Sequence, residues 1–334
     1  MNTTVSSKLS SEAKRALWAG LLFSVVFTAL IGVLGQRIDH SGFLPDQGPS
    51  WYFWKLPNPT FWTRFTAWSF YLAHQVTVWG LIYYAQTRVK KYTSGVHKLN
   101  WIALGANAFF ITLHLVQTHL WYDGLAQDVS IWSSQGSVII MLVLILLMEN
   151  QRRGLFWGKK VGFLKRAGRV ARKYHGYVIA WGLVYTLWYH PMVPPAAHLT
   201  GFLYMFLLLM QGSLFFTRLH VTPWWMAILE VGVLFHGTIV AIGQANGLWP
   251  MFFFGFAGIF VITQMHGLKW PDWAKWATLA AYILVALGVY SQLGWGRLNE
   301  IIRIPIIEYV LVFVFAGVIA LGLEITRRIS PERI

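Results

Sequence analysis

Long stretches without a charged side chain constrain this sequence more than any other feature. The segments 131–148 and 309–323 contain no Asp, Glu, Lys or Arg. Apolar stretches of ~20 residues are long enough to cross the hydrocarbon core of a bilayer. Because lipid offers the backbone no hydrogen-bond partners, each such stretch must be helical. The sequence therefore predicts an all-α, polytopic bundle of transmembrane helices.

We predict about ten spans. Pro191, Pro194 and Pro195 mark a tight reversal between the fifth and the sixth, because proline cannot continue a helix. The predicted spans cover residues 17–36, 65–86, 101–122, 131–149, 175–194, 197–217, 223–244, 248–267, 276–295 and 305–326.

The distribution of basic residues predicts the orientation of the chain. It carries 27 Lys and Arg against 12 Asp and Glu. With the N-terminus inside, 22 of the 27 basic residues fall on the cytoplasmic side, as the positive-inside rule requires. Both termini are thus predicted to be cytoplasmic, in a cell inner (plasma) membrane. Since the charge lies in short loops between spans, it indicates contact with anionic lipid rather than with nucleic acid.

A central basic segment, residues 150–174, carries nine Lys and Arg and no acid. Within it, residues 161–173 mix apolar and basic side chains in a way typical of a short helix on a membrane surface. A plain orienting loop explains the same charges. We expect residues 152–173 to contact anionic headgroups. We treat residues 1–334 as one integral membrane domain, in which this segment separates a four-helix half (1–149) from a six-helix half (175–334).

Histidines inside the predicted spans are the main candidates for chemistry. The chain has no cysteine, which excludes thiolate metal sites and cysteine nucleophiles. An ionisable side chain in a bilayer is costly unless it is paired or hydrated. At a rise of ~1.5 Å per residue, His74, His114 and His236 lie within roughly 5 Å of one depth, just outside the midplane, and His190 lies about 8 Å outward of centre.

A neutral imidazole ligates haem iron or a transition metal. We therefore predict a histidine-lined intramembrane site in the outer half of the bundle. Its predicted ligands to haem b are His74, His114, His190 and His236, and for another metal they are His74, His114 and His236.

Other polar residues accompany these histidines. Gln117 follows His114 at three residues and shares its helix face. His119 and Asp123 are four residues apart, a spacing at which an acid orients an imidazole. His198 lies near the outer start of the sixth span and Glu230 within the seventh, and we include both in the candidate polar site.

A membrane redox protein that binds haem b or another metal, and exchanges electrons with a quinone, is the function that this pattern favours. Three alternatives stay open. A proton-coupled transporter would use the intramembrane histidines and Glu230 as a relay, with discontinuous helices and an internal inverted repeat. The sequence shows no such repeat. A membrane enzyme would act on a lipid or isoprenoid near His119 and Asp123. In a structural subunit of a larger membrane complex, the histidines would only join helices.

Overall fold

A computed structural model shows the fold over residues 9–45, 53–89 and 91–329. Three of the basic residues that support the predicted orientation lie outside this part, namely Lys8, Lys90 and Arg333. A short antiparallel hairpin pairs β1 (Leu44–Pro45) with β2 (Phe53–Lys55). The described part contains ten α-helices: α1 (Ser11–Gly35), α2 (Phe61–Arg88), α3 (Lys98–Leu120), α4 (Ile131–Arg153), α5 (Leu164–Tyr189), α6 (Ala196–Ser213), α7 (Pro223–Gly243), α8 (Trp249–Ile262), α9 (Asp272–Leu293) and α10 (Glu300–Ile329).

The predicted helical bundle is confirmed. Eight helical segments of the described part are long and apolar enough to cross a membrane, judged by length and composition. They contain α1, α3, α4, α6, α7, α8, α9 and α10. The helices α2 and α5 also coincide with predicted spans but are not among the eight. The number of ten spans therefore stays a prediction.

The predicted surface helix over 161–173 and the predicted fifth span form a single helix. α5 runs from Leu164 to Tyr189 without interruption. In its first part the basic side chains are exposed, while Leu164 and the alanines are buried. The helix ends two residues before Pro191, which cannot continue it.

The helices form two compact units that are interleaved along the sequence. The first unit consists of Met1–Ser134 and Ile179–Leu229, and the second of Gln135–Val178 and Glu230–Ile334. The predicted division of the domain lies at the central basic segment, residues 150–174. Each of the two units, in contrast, contains residues from both halves of the chain.

In the first unit, α1 packs closely against α6. Gly20 presents no side chain, so its backbone approaches Met210 directly. Around this contact, Leu17 of α1 joins Met210, Leu214 and Trp225 in a buried apolar cluster. The unit therefore has a core of its own.

In the second unit, α8 packs against α9 and α10. Phe254, Ala286 and Tyr290 form a buried cluster between α8 and α9. A methyl group added at Gly255 would lie 2.9 Å from Cβ of Ile304. The absence of a side chain at Gly255 therefore allows α10 to pack close to α8.

The turn after α3 makes a close backbone contact within the first unit. A Cβ added at Gly124 would lie 2.5 Å from the carbonyl oxygen of Tyr189 and 3.1 Å from Cα of His190. Since both neighbours are backbone atoms, no side chain can rotate away to make room. This contact holds the turn against the end of α5.

We expect Gly124→Ala to destabilise the protein by about 1–3 kcal/mol, because the added methyl group overpacks against backbone. The matched control is Gly105→Ala on α3, where an added Cβ meets no atom within 4 Å and alanine is the better helix former. Thermal unfolding of the purified protein in detergent measures both. Equal unfolding temperatures for the two variants would contradict the close approach.

Candidate functional site

His74 of α2 is fully buried and uses both ring nitrogens within the first unit. Its Nε2 lies 2.9 Å from Asn107 Oδ1, and Trp188 Nε1 donates to its Nδ1 at 3.2 Å. Because an indole N–H only donates, Nδ1 is the acceptor and Nε2 carries the proton. Asn107 Nδ2 in turn donates to Ser213 Oγ at 2.9 Å. His74 therefore links α2, α3, α5 and α6 as a neutral imidazole.

His114 of α3 lies on the other side of the same tryptophan. Its ring centroid is 4.2 Å from that of Trp188, and its Nε2 donates to the His190 carbonyl oxygen at 3.0 Å. The rings of His190 and His198 are 5.2 Å apart. The structure thus brings four of the predicted histidines into one chain of contacts: His74, His114, His190 and His198.

His74 does not fit the role of a haem or metal ligand as it is placed here. Both of its nitrogens are engaged by Asn107 and Trp188, and a ligand to iron needs one of them free. Within residues 9–45, 53–89 and 91–329, no three His, Asp or Glu side chains form a group that could hold a metal ion. His236 belongs to the second unit. The haem and metal assignments stay a prediction.

Asp123 is buried in the turn after α3. Its Oδ1 accepts a hydrogen bond from the Gly124 N–H at 2.8 Å, and Gln117 Nε2 donates to its backbone carbonyl at 3.2 Å. Burial raises the pKa of the Asp123 carboxyl to about 6, against the opposing effects of the Gly124 N–H and of the Arg64 charge.

The predicted pairing of His119 with Asp123 is wrong. In the described structure no hydrogen bond or ion pair joins the two side chains, and His119 is exposed. The argument from a four-residue spacing requires a continuous helix. α3 ends at Leu120, and Tyr122 has a φ of 42°, so the helical geometry is lost before Asp123.

Glu230 of α7 forms a buried ion pair in the second unit. Its Oε2 contacts Nη1 of Arg153, the last residue of α4. The side chains of Arg153 and Glu230 are only 2% and 5% exposed. The neighbouring Arg152 pairs instead with Glu149. Taking two charges out of water is costly, so such a pair needs good geometry and further hydrogen bonds to be stable.

Arg153 also lines a cavity of about 600 Å³ in the second unit, within the usual volume of small-molecule sites. The end of α4, the segment 154–163, the 3-10 turn Gln264–Gly267 and the start of α9 form its walls. The basic side chains of the lining are Arg152, Arg153, Lys159, His266 and Lys275. Its larger apolar side chains are Trp157, Met265, Trp276 and Leu279.

A tight turn forms one wall of this cavity. Phe156 and Lys159 pair across it, and Trp157 and Gly158 between them have φ values of 52° and 77°. Positive φ at both central residues is the signature of a type I′ turn, in which glycine is favoured. The Trp157 N–H donates to the Ile262 carbonyl at 2.8 Å. The turn therefore holds Trp157 and Lys159 at the cavity.

α8 stops inside an apolar stretch beside this turn. Trp249–Gly267 as a whole is apolar enough to span a membrane, yet the α-helix ends at Ile262. Thr263 Oγ1 donates to the Leu155 carbonyl at 2.5 Å and lies 2.7 Å from the Tyr309 hydroxyl. Non-helical backbone in lipid surroundings needs such protein partners. The break is thus stabilised by neighbouring polar groups.

Two residues that line the cavity have buried polar atoms without hydrogen-bond partners among the described residues. These atoms are Nε and Nη2 of Arg153 and Nε2 of His266. Oε1 of Glu230, which is outside the lining, also lacks such a partner. An unmet buried donor costs about 1–3 kcal/mol, and more when it is charged. The Arg153 nitrogens only donate. Arg153 therefore keeps unpartnered donors, closed to solvent, beside the cavity.

Arg153 and Glu308 are two residues of the second unit that are not among the predicted site residues. Glu308 is buried in α10, with its Oε2 lacking a hydrogen-bond partner among the described residues. An acid within an apolar run is itself a signal, so Glu308 is recognisable in advance. Arg153 is one of nine basic residues in its segment, and only its pairing in three dimensions distinguishes it.

Comparison of the chain with protein-family models, with curated proteins and with solved structures finds no match in any of the three.

We expect Asp123→Asn to remove a pH dependence from the stability of the protein. The folded-state pKa of Asp123, about 6, lies above its usual value of 3.8. The protonated carboxyl therefore contributes stability that is fully present below about pH 4 and is lost as the pH rises through 6. The loss is of the order of 3 kcal/mol. Asparagine keeps an acceptor for the Gly124 N–H and carries no charge.

Unfolding temperatures of the wild type and of Asp123→Asn, measured from pH 4 to pH 8, test this prediction. The difference between the two proteins should grow in favour of the variant as the pH rises. A difference that stays constant over this range would contradict the burial of an ionisable Asp123.

Proposed function

We propose that this chain is a proton-coupled membrane carrier for anions. The observation that carries the proposal is the buried Arg153–Glu230 ion pair at the edge of a basic cavity. Replacing a buried ion pair by apolar side chains is often neutral or even stabilising. Ionisable groups inside a membrane bundle are functional candidates by default. We therefore assign the pair a role in binding rather than in stability alone.

An anion that enters the cavity competes with Glu230 for Arg153. A proton on Glu230 removes the competing charge and frees the guanidinium group. Anion binding and proton binding then favour each other, and this coupling is reciprocal. The other charged groups that act on Glu230 are Glu149 and Arg152. Because these two pair with each other, Arg153 is the direct partner of Glu230.

The proposal includes the predicted topology of ten spans with cytoplasmic termini, in the plasma membrane. In this topology the end of α4, the segment 154–163, the turn Gln264–Gly267 and the start of α9 are cytoplasmic. The cavity that they line then faces the cytoplasm. The interruption of α8 suits a carrier, because transporters commonly place broken helices at their binding sites.

Membrane lipids are the proposed partners of the basic first part of α5. Its basic side chains are exposed, and anionic headgroups of the cytoplasmic leaflet attract such charges. The redox interpretation, with haem or metal and a quinone, is tested separately. Absorption spectra of the oxidised and dithionite-reduced protein, together with metal analysis, decide it.

Liposomes that contain the purified protein and enclose a pH-sensitive dye test the carrier directly. Phenyl phosphate or benzenesulfonate is added outside, while potassium and valinomycin hold the membrane voltage at zero. We expect protein-dependent acidification of the lumen, because anions enter together with protons. Glu230→Gln should abolish the acidification, since glutamine has the shape of the protonated acid but exchanges no proton.

The control is Glu324→Gln, which also replaces a carboxylate by an amide but lies in α10, outside the cavity lining, and leaves the Arg153–Glu230 pair intact. It should keep at least half of the wild-type rate. Equal acidification by wild type and Glu230→Gln would overturn the proposed coupling. Acidification no faster than in protein-free liposomes with either anion would overturn the carrier itself.

A further inference from the structure

We propose that the cavity of the second unit binds a phosphate monoester whose phosphate carries an apolar group. This inference deepens the proposed function and rests on it for the role of Glu230. Charge balance, donor geometry and the apolar part of the lining each support it.

Most of the positive charge that lines the cavity is already neutralised by acids. Arg153 pairs with Glu230, Arg152 with Glu149, and Lys275 with Asp272, the last at 2.9 Å. Each of these three pairs joins one positive and one negative group, so the six groups together carry no net charge. The positive charge available to a ligand must therefore come from a residue outside these pairs, or from the protonation of an acid within one of them.

Lys159 supplies the first available charge. It lines the cavity and has no acid within ion-pair distance among the described residues. Protonation of Glu230 supplies the second, because it leaves Arg153 without a counter-charge. A phosphate monoester carries about −1.5 to −2 charges near neutral pH. It therefore balances both cations, whereas a sulfonate or a carboxylate balances only one.

Arg153 also has the geometry for a phosphate. Its Nε and Nη2 are the two unpartnered nitrogens, and the planar guanidinium group presents its donors as a fork that matches two oxygens of one phosphate. The site thus offers the two fixed donors of Arg153 and the flexible ammonium group of Lys159.

The remaining lining indicates that the ligand is more than inorganic phosphate. Trp157, Met265, Trp276 and Leu279 provide an apolar and aromatic wall. Trp157 and Trp276 are exposed, and indole side chains prefer the headgroup level of a membrane. Two sources share this chemistry, namely the headgroup of an anionic lipid with a terminal phosphate and a soluble phosphate ester.

Calorimetric titration of the full-length protein in detergent with phenyl phosphate tests the site. We expect saturable binding, and at least about tenfold weaker binding of benzenesulfonate. Lys159→Ala should weaken phenyl phosphate binding by about tenfold, since it removes a charge-assisted contact. The control is Lys160→Ala, because Lys160 is the next residue, is exposed and lies outside the lining. It should leave the affinity unchanged.

Nanodiscs distinguish the two sources of the phosphate. If phosphatidic acid in the disc competes with phenyl phosphate, and phosphatidylcholine does not, the ligand is a lipid headgroup. If neither lipid competes, the ligand is a soluble ester. The inference is overturned if phenyl phosphate does not bind, if benzenesulfonate binds equally well, or if Lys159→Ala and Lys160→Ala have the same affinity.

The binding experiment and the liposome experiment test the two proposals separately. Selective binding of phenyl phosphate without proton movement in liposomes would support the phosphate site and contradict the carrier function. Proton movement with equal affinity for phenyl phosphate and benzenesulfonate would support the carrier function and contradict the phosphate specificity. Unfolding temperatures of both lysine variants confirm that each is folded.

Discussion

Buried polar groups in apolar surroundings must find hydrogen-bond partners within the protein, and this demand organises both units. In the first unit it is met around Trp188. The indole N–H donates to His74, His74 donates to Asn107, and Asn107 donates to Ser213. An imidazole whose two nitrogens are both hydrogen-bonded connects neighbouring helices. This is the role that the histidines would have in a structural subunit of a membrane complex.

In the second unit the same demand is met only in part. Arg153 and Glu230 satisfy each other's charge, but both keep buried atoms without partners among the described residues. Arg153 also lines a cavity. We propose that a ligand with several oxygens offsets the cost of these unmet groups, and we therefore place the function in the second unit.

The length and polarity of the segments predict most of the helices. The third span was predicted at 101–122 and α3 covers Lys98–Leu120, while the tenth was predicted at 305–326 and α10 covers Glu300–Ile329. These limits follow from apolar length, which is a local property of the chain. The break in α8 at Ile262 was not predicted, because the residues that stabilise it, Leu155 and Tyr309, are distant in sequence.

The candidate site was only partly predictable. Depth along each helix predicts a similar level for His74 and His114, and in the structure both contact Trp188. It does not tell which helices are neighbours, and His236, at a similar calculated depth, belongs to the other unit. Nor does it tell that Trp188 occupies a ring nitrogen of His74. Helix rotation and tertiary packing determine these features, and no local sequence pattern predicts them.

We propose that an anion displaces Glu230 from Arg153 as Glu230 takes up a proton. Infrared difference spectroscopy of the protein with and without phenyl phosphate detects this proton. We expect a new C=O stretching band of a protonated carboxyl group on ligand binding, shifted in heavy water and absent from Glu230→Gln. If wild type shows no such band on binding the ligand, or if the band persists in Glu230→Gln, the proposal is contradicted.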